Sequence, residues 1–169
     1  SRDDLLAANA GIVGPIADQI ARIAKQAIII VVTNPLDVMA YLVLKRTGFP
    51  PERVIGMAGV LDSGRLKAFL AEAAKVEPAK IQALVLGSHG DMMVPIASAV
   101  TIDGQPASTR LDPSALEKIF ERTRNGGAEI VALLKQSSAY YAPASSVVQM
   151  MAAILKNERR ALPVSVFLQ

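Results

Sequence analysis

Ile28-Ile29-Ile30-Val31-Val32-Thr33-Asn34-Pro35 is the stretch from which the fold is read. Its aliphatic, β-branched half reads as a short strand buried on both faces, the habit of parallel sheets covered by helices. Thr33-Asn34-Pro35 stops it, since Asn34 can cap a helix and Pro35 can occupy the helix's first position. That helix runs to about Thr47 and ends at Gly48. Upstream, Ser1 and Asp4 resemble a capping box, and Leu5, Leu6, Ile12, Ile16, Ile20 and Ile23 keep near-helical spacing up to Lys25. Downstream of Pro50-Pro51, a short strand around Arg53 to Met57 precedes a helix from about Leu61 to Lys75 and a strand from Ile81 to Leu86. Helix and strand alternate, which predicts an α/β fold with parallel strands and with the working loops at their carboxyl ends. Asn34 and His89 both fall at such ends.

Beyond Asp91 the pattern changes. Val94 to Ile102 reads as a strand turned at Asp103-Gly104, followed by two helical stretches, Asp112 to Lys135 and Ser145 to Lys156, and a final strand, Val164 to Leu168. This predicts a second, α+β unit, with a tight boundary near Met57 to Gly59. The chain opens on a helix, contains no G-x-G-x-x-G and stops inside an apparent strand, so the expectation is an internal segment of a longer polypeptide.

Composition narrows the classes. A chain of 169 residues, 51% of them hydrophobic, can bury a real core. The absence of cysteine excludes a disulfide framework and thiolate zinc sites, and fits a reducing, cytoplasmic setting. Ala27 to Val32, the longest aliphatic run, falls far short of the roughly 20 residues a bilayer span needs. Ser1-Arg2-Asp3-Asp4 is too charged for a signal peptide, so a soluble protein with no membrane partner is expected. Net charge is +3 from 18 basic and 15 acidic residues that are interspersed, and aromatics make up 4%, which argues against nucleic-acid binding. The densest basic cluster, Lys156-Asn157-Glu158-Arg159-Arg160, reads as a solvated helix end. One histidine, no cysteine and no H-x-x-x-H pair leave too few ligands for zinc, and no metal is expected.

The single histidine stands in Gly87-Ser88-His89-Gly90-Asp91, directly after the apolar run that ends at Leu86. An imidazole in a Gly-flanked turn is suited to proton transfer near neutral pH. Leu61-Asp62-Ser63-Gly64-Arg65 offers a carboxylate and a guanidinium three positions apart, on one face of a helix. Together they would form an imidazole oriented by a carboxylate, beside a guanidinium able to grip a substrate carboxylate with two parallel hydrogen bonds. The residues alone equally allow a surface helix pair and a hydrogen-bonded turn histidine. Ser88 carries no hydrolase signal, since no G-x-S-x-G surrounds it. Met92-Met93 and Met150-Met151 read as core fillers, and Tyr140-Tyr141 as packing between helices or subunits.

Four motifs in order, Val32-Thr33-Asn34-Pro35-Leu36-Asp37, Gly59-Val60-Leu61-Asp62-Ser63-Gly64-Arg65, Leu86-Gly87-Ser88-His89-Gly90-Asp91 and Ser138-Ala139-Tyr140-Tyr141-Ala142-Pro143-Ala144, resemble the lactate/malate dehydrogenase family across nearly the whole chain. The resemblance implies that residues 1–57 are the C-terminal part of an NAD-binding Rossmann domain and 58–169 a catalytic domain incomplete at its C-terminus. It implies NAD as cofactor and a homo-oligomer, dimer or tetramer. It makes His89 the acceptor of the substrate hydroxyl proton, Asp62 the stabiliser of the imidazolium, and Arg65 the anchor of the carboxylate beside the reacting carbon. Asn34 would contact both nicotinamide and substrate oxygen. Ser1-Arg2-Asp3-Asp4-Leu5-Leu6 resembles the far end of the family's mobile loop, so Arg2 would polarise the substrate carbonyl. Asn9 would approach the cofactor, and Val32 would offer it backbone contacts.

Malate and lactate differ by a second carboxylate, whose charge needs a partner in a closed pocket. In the family that partner is an Arg earlier in the mobile loop, at a position before Ser1. Ser138 to Ala144, with small Ala139, resembles the malate branch of the tetrameric, lactate-dehydrogenase-like type. The expected reaction is reversible oxidation of (S)-malate to oxaloacetate in the tricarboxylic acid cycle. L-lactate dehydrogenase is the alternative within the class, and a non-catalytic assembly fragment the alternative outside it. The acidic residue that would separate NAD from NADP also falls before Ser1. Ala24-Lys25-Gln26-Ala27 joins helix to strand more tightly than the family usually does.

Overall fold

The computed structural model of the chain describes residues 2–90, 92–135 and 139–168, with the side chains of Arg2 and Asp3 outside that description. Two compact units divide the chain: Ser1–Ala58 with Val164–Gln169, and Gly59–Pro163. Residues 164–168 therefore pack with the first unit.

In the first unit, helix α1 (Arg2–Ile23) is followed by strand β1 (Ile29–Val31), helix α2 (Leu36–Thr47) and strand β2 (Val54–Gly56). β1 and β2 run parallel, with Ile29 opposite Val54 and Val31 opposite Gly56. The helical crossover supplies the length that a parallel pair requires. Gly48 closes α2 at φ 64°, its amide donating to the Leu44 carbonyl 3.0 Å away. Ala17, Val31, Leu36, Met39, Val43 and Val54 form the core. Arg46 clamps α2 to α1 through both carboxylate oxygens of Asp18, its Nε donating to Oδ1 at 2.8 Å. That hydrogen bond holds the Asp18 carboxyl below its ordinary range.

Three expectations are corrected here. β1 is not buried on both faces: Ile28 and Val32 are exposed, and among the described residues the strand pairs only with β2. Asn34 does not cap α2; Pro35 takes the cap position in extended backbone, and no side chain caps the helix. Val164 to Leu168 forms no strand, only an antiparallel bridge from Ser165 to Gly56, supported by the Ser165 hydroxyl donating to Asp37 Oδ1 at 2.6 Å.

The second unit comprises α3 (Gly59–Ala74), β3 (Ile81–Gln82), β4 (Val85–Gly87), β5 (Met93–Pro95), β6 (Thr101–Ile102), β7 (Gln105–Pro106), α4 (Pro113–Leu134) and α5 (Tyr141–Leu155). Leu66, Leu70, Val85, Val100, Ile102 and Phe120 lie in its core. The expected continuous strand from Ile81 to Leu86 is broken: β3 pairs antiparallel with β6, and β4 antiparallel with β5. Residues 88–92 connect β4 to β5, far too few for the crossover of a dozen or more that a parallel neighbour needs. Gly87 makes this tight reversal possible, with φ 82° and no room for a Cβ, which would stand 2.6 Å from the Met92 carbonyl oxygen. Asp112 caps α4 by accepting from the Ala115 amide at 2.9 Å. α5 begins at Tyr141, earlier than the expected Ser145. Met93 and Met150 fill core, whereas Met92, Met151, Tyr140 and Tyr141 are exposed. Among the described residues no helix is long and apolar enough to cross a membrane.

Candidate active site

In the second unit, α3 supplies a carboxylate in its first turn and a guanidinium one turn later. Its register against β4 is fixed by Ser63, whose buried hydroxyl oxygen accepts from the Val85 amide at 3.0 Å. β4 then leads through Gly87 into the turn that carries His89. As a result Nδ1 of His89 lies 2.8 Å from Oδ2 of Asp62. Asp62 is 2% exposed and His89 15%, so the pair is shielded from water. A carboxylate can only accept, so Nδ1 donates to it, and in the neutral ring Nε2 is then the acceptor nitrogen.

The other carboxylate oxygen of Asp62 makes no hydrogen bond among the described residues and lies 3.5 Å from Nη1 of Arg65. That separation is an electrostatic contact that leaves the guanidinium's donors to other partners. A cavity of about 170 Å³ is bordered by Arg65, His89, Gly90, Met93, Arg124 and Asn125. Arg124 and Asn125 come from α4 and were missed in the sequence reading. Arg124 pairs with Glu121 at 3.1 Å and Glu117 at 3.4 Å. Arg122 binds Glu129 and Glu72 and lies over the Phe69 ring. Hydrogen bonding from Arg122 holds the Glu129 carboxyl below its ordinary range, with the nearby Arg65 charge adding to the effect.

The first unit brings together a second set. Nδ2 of Asn9 donates to the Asn34 carbonyl oxygen at 2.6 Å, fixing α1 to the turn after β1. Asn34 and Val32 are exposed, and the side-chain amide of Asn34 has no hydrogen-bond partner among the described residues. Both residues lie at the carboxyl end of a parallel strand, where open α/β sheets place their ligands. The Arg2 side chain lies outside the described residues, as do Asp91 and Ser138 of the quoted motifs. Among the described residues no cluster of three or more His, Cys, Asp or Glu is arranged to hold a metal ion.

A helix-crossed parallel pair followed by an α/β unit with a carboxylate-braced histidine defines a Rossmann-like α/β architecture. Residues 1–56 match the lactate/malate dehydrogenase NAD binding domain, and residues 59–169 the lactate/malate dehydrogenase alpha/beta C-terminal domain. The chain belongs to the lactate/malate dehydrogenase family. It is 48% identical to a malate dehydrogenase of Methanosarcina mazei over all 169 residues, which are 55% of that relative. A crystal structure of Cryptosporidium parvum malate dehydrogenase superimposes with a TM-score of 0.97 at 42% identity, covering all of this chain and 55% of the other. The lactate dehydrogenase of the same organism, solved with lactic acid and nicotinamide adenine dinucleotide, gives 0.95 at 38% identity, over 99% of this chain and 55% of the other. The chain spans about half the length of the curated relatives it matches.

Proposed function

We propose that the protein, in its native length, is an NAD-dependent malate dehydrogenase that interconverts (S)-malate and oxaloacetate. The observation that carries this reading is the 2.8 Å contact of His89 with buried Asp62, beside Arg65 on one cavity. In the oxidative direction Nε2 of His89 takes the hydroxyl proton, and the imidazolium so formed is stabilised by Asp62. Arg65 binds the carboxylate next to the reacting carbon in a bidentate fork. Arg2 polarises the carbonyl oxygen as charge develops there. Asn34 presents its amide to the nicotinamide and the substrate oxygen, held by Asn9 through its carbonyl, while Val32 contributes backbone contacts. Bound NAD supplies the two-electron acceptor.

Malate is favoured over lactate because curated relatives at about half identity carry the malate dehydrogenase name. A cytoplasmic location, a place in the tricarboxylic acid cycle and a homotetramer belong to the same reading. The exposed Leu5, Ile12, Ile16 and Ile23 of α1 offer apolar surface for association, and sedimentation at native length tests it. The substrate is tested by steady-state reduction of oxaloacetate and pyruvate with NADH. Preference for oxaloacetate supports the reading. Preference for pyruvate reassigns the enzyme to lactate, and turnover of neither removes the dehydrogenase assignment.

A further inference from the structure

Arg65 is held against α4 at a place where that helix has no side chain. An ideal Cβ built on Gly126 would stand 2.4 Å from Cδ, 2.8 Å from Nε and 3.3 Å from Cζ of Arg65. The residue is buried, and the Arg65 side chain is only 11% exposed. By contrast a Cβ at Gly64, on the same helix as Arg65, would meet nothing within 4 Å. Glycine is a poor helix former, and α4 continues through Gly126 as regular helix, so the residue serves neither a turn nor a left-handed backbone. What the missing methyl provides is room for the stem of the arginine. Asp62 Oδ1 lies 3.5 Å from Nη1. The guanidinium thus meets both a carboxylate and a bare stretch of helix backbone.

We propose that Gly126 is a positioning residue for substrate binding: by lacking a side chain it sets where the Arg65 guanidinium meets the substrate carboxylate. The inference rests on the reading of Arg65 as that carboxylate's anchor. A methyl group at this position must displace the arginine stem by about 1 Å to reach ordinary van der Waals separation. A displacement of that size at a bidentate anchor lowers the rate about 100-fold.

The test is a double-mutant cycle on the protein in its native length. Gly126→Ala lowers kcat/KM for oxaloacetate about 100-fold and raises KM, while NADH affinity and melting temperature stay at or above those of the parent. Gly64→Ala, a helix-interior exchange of the same kind, stays within about twofold of the parent. Arg65→Ala removes the three atoms nearest to the new methyl, so adding Gly126→Ala to it changes kcat/KM less than about threefold. Parent-like kinetics in Gly126→Ala with a damaged Arg65→Ala overturn this inference alone. Parent-like turnover in Arg65→Ala overturns the anchor reading and the inference with it. Additive losses in the cycle, or a Gly126→Ala protein that fails to fold while Arg65→Ala/Gly126→Ala also fails, show that Gly126 acts on α4 itself and overturn the proposal.

Discussion

Replacing Asp62 by asparagine keeps the volume of a side chain that is 2% exposed and removes the charge facing His89. Two consequences follow from the 2.8 Å contact between Oδ2 and Nδ1. If the new amide turns its NH2 toward the ring, Nδ1 must accept and the proton moves to Nε2, so the ring cannot take the hydroxyl proton in the oxidative direction, and the fixed overall equilibrium carries the same loss into oxaloacetate reduction. If it turns its oxygen, the tautomer survives but the imidazolium loses its counter-charge. A charge-assisted hydrogen bond contributes about 1.5–3 kcal/mol, and two unit charges about 4 Å apart interact by about 4 kcal/mol at the effective dielectric of a protein site. Taking a loss of about 2–4 kcal/mol, kcat/KM for oxaloacetate falls about 30- to 1,000-fold. The assay is steady-state oxidation of NADH by oxaloacetate, with NADH affinity followed separately. A loss under about threefold, or a loss matched by an equal fall in NADH affinity, would refute the bracing role of Asp62.

Two further outcomes concern the frame around the pair. Ser63→Ala leaves the buried Val85 amide without its acceptor and destabilises the protein by about 1–3 kcal/mol in urea unfolding; a change below about 0.3 kcal/mol contradicts the pinning of α3 to β4. Glu129 has its folded-state pKa held below the unfolded value of 4.5, so its ionised form stabilises the fold above that value and the contribution is lost as pH falls through the folded-state range. Glu129→Gln therefore lowers the urea midpoint at neutral pH, and the gap to the parent closes as the pH is taken down through the carboxylate range. A gap that widens in acid contradicts the Arg122 pairing.

The first unit was legible because its signals are local. A β-branched run, a proline and a glycine with positive φ set β1, the start of α2 and its end without help from distant residues. The exposure of Ile28 and Val32 was not legible, since burial of a strand depends on what lies beside it rather than on its own composition. The same holds for Ile81 to Leu86. Its apolar run gave no sign that the first part joins β6 and the second β5, because the choice of partner is made by residues 88–106. Asp62 and Arg65 could be placed on one face from their spacing, yet the meeting of Asp62 with His89 spans 27 positions and rested on residue type and family motif. Arg124, Asn125 and Gly126 were out of reach. They come to Arg65 and His89 through the packing of α4, and nothing in a Arg-Asn-Gly sequence 35 or more residues from His89 marks them.

The proton transfer assigned to His89 is tested most directly by the turnover of His89→Asn in the protein at native length, with oxaloacetate and NADH. Loss of the proposed acid/base group is expected to lower kcat about 10²- to 10⁴-fold while NADH affinity stays within about twofold, since Asn9, Val32 and Asn34, the residues proposed to meet the cofactor, belong to the other unit. A His89→Asn protein that turns over oxaloacetate at the rate of the parent contradicts it.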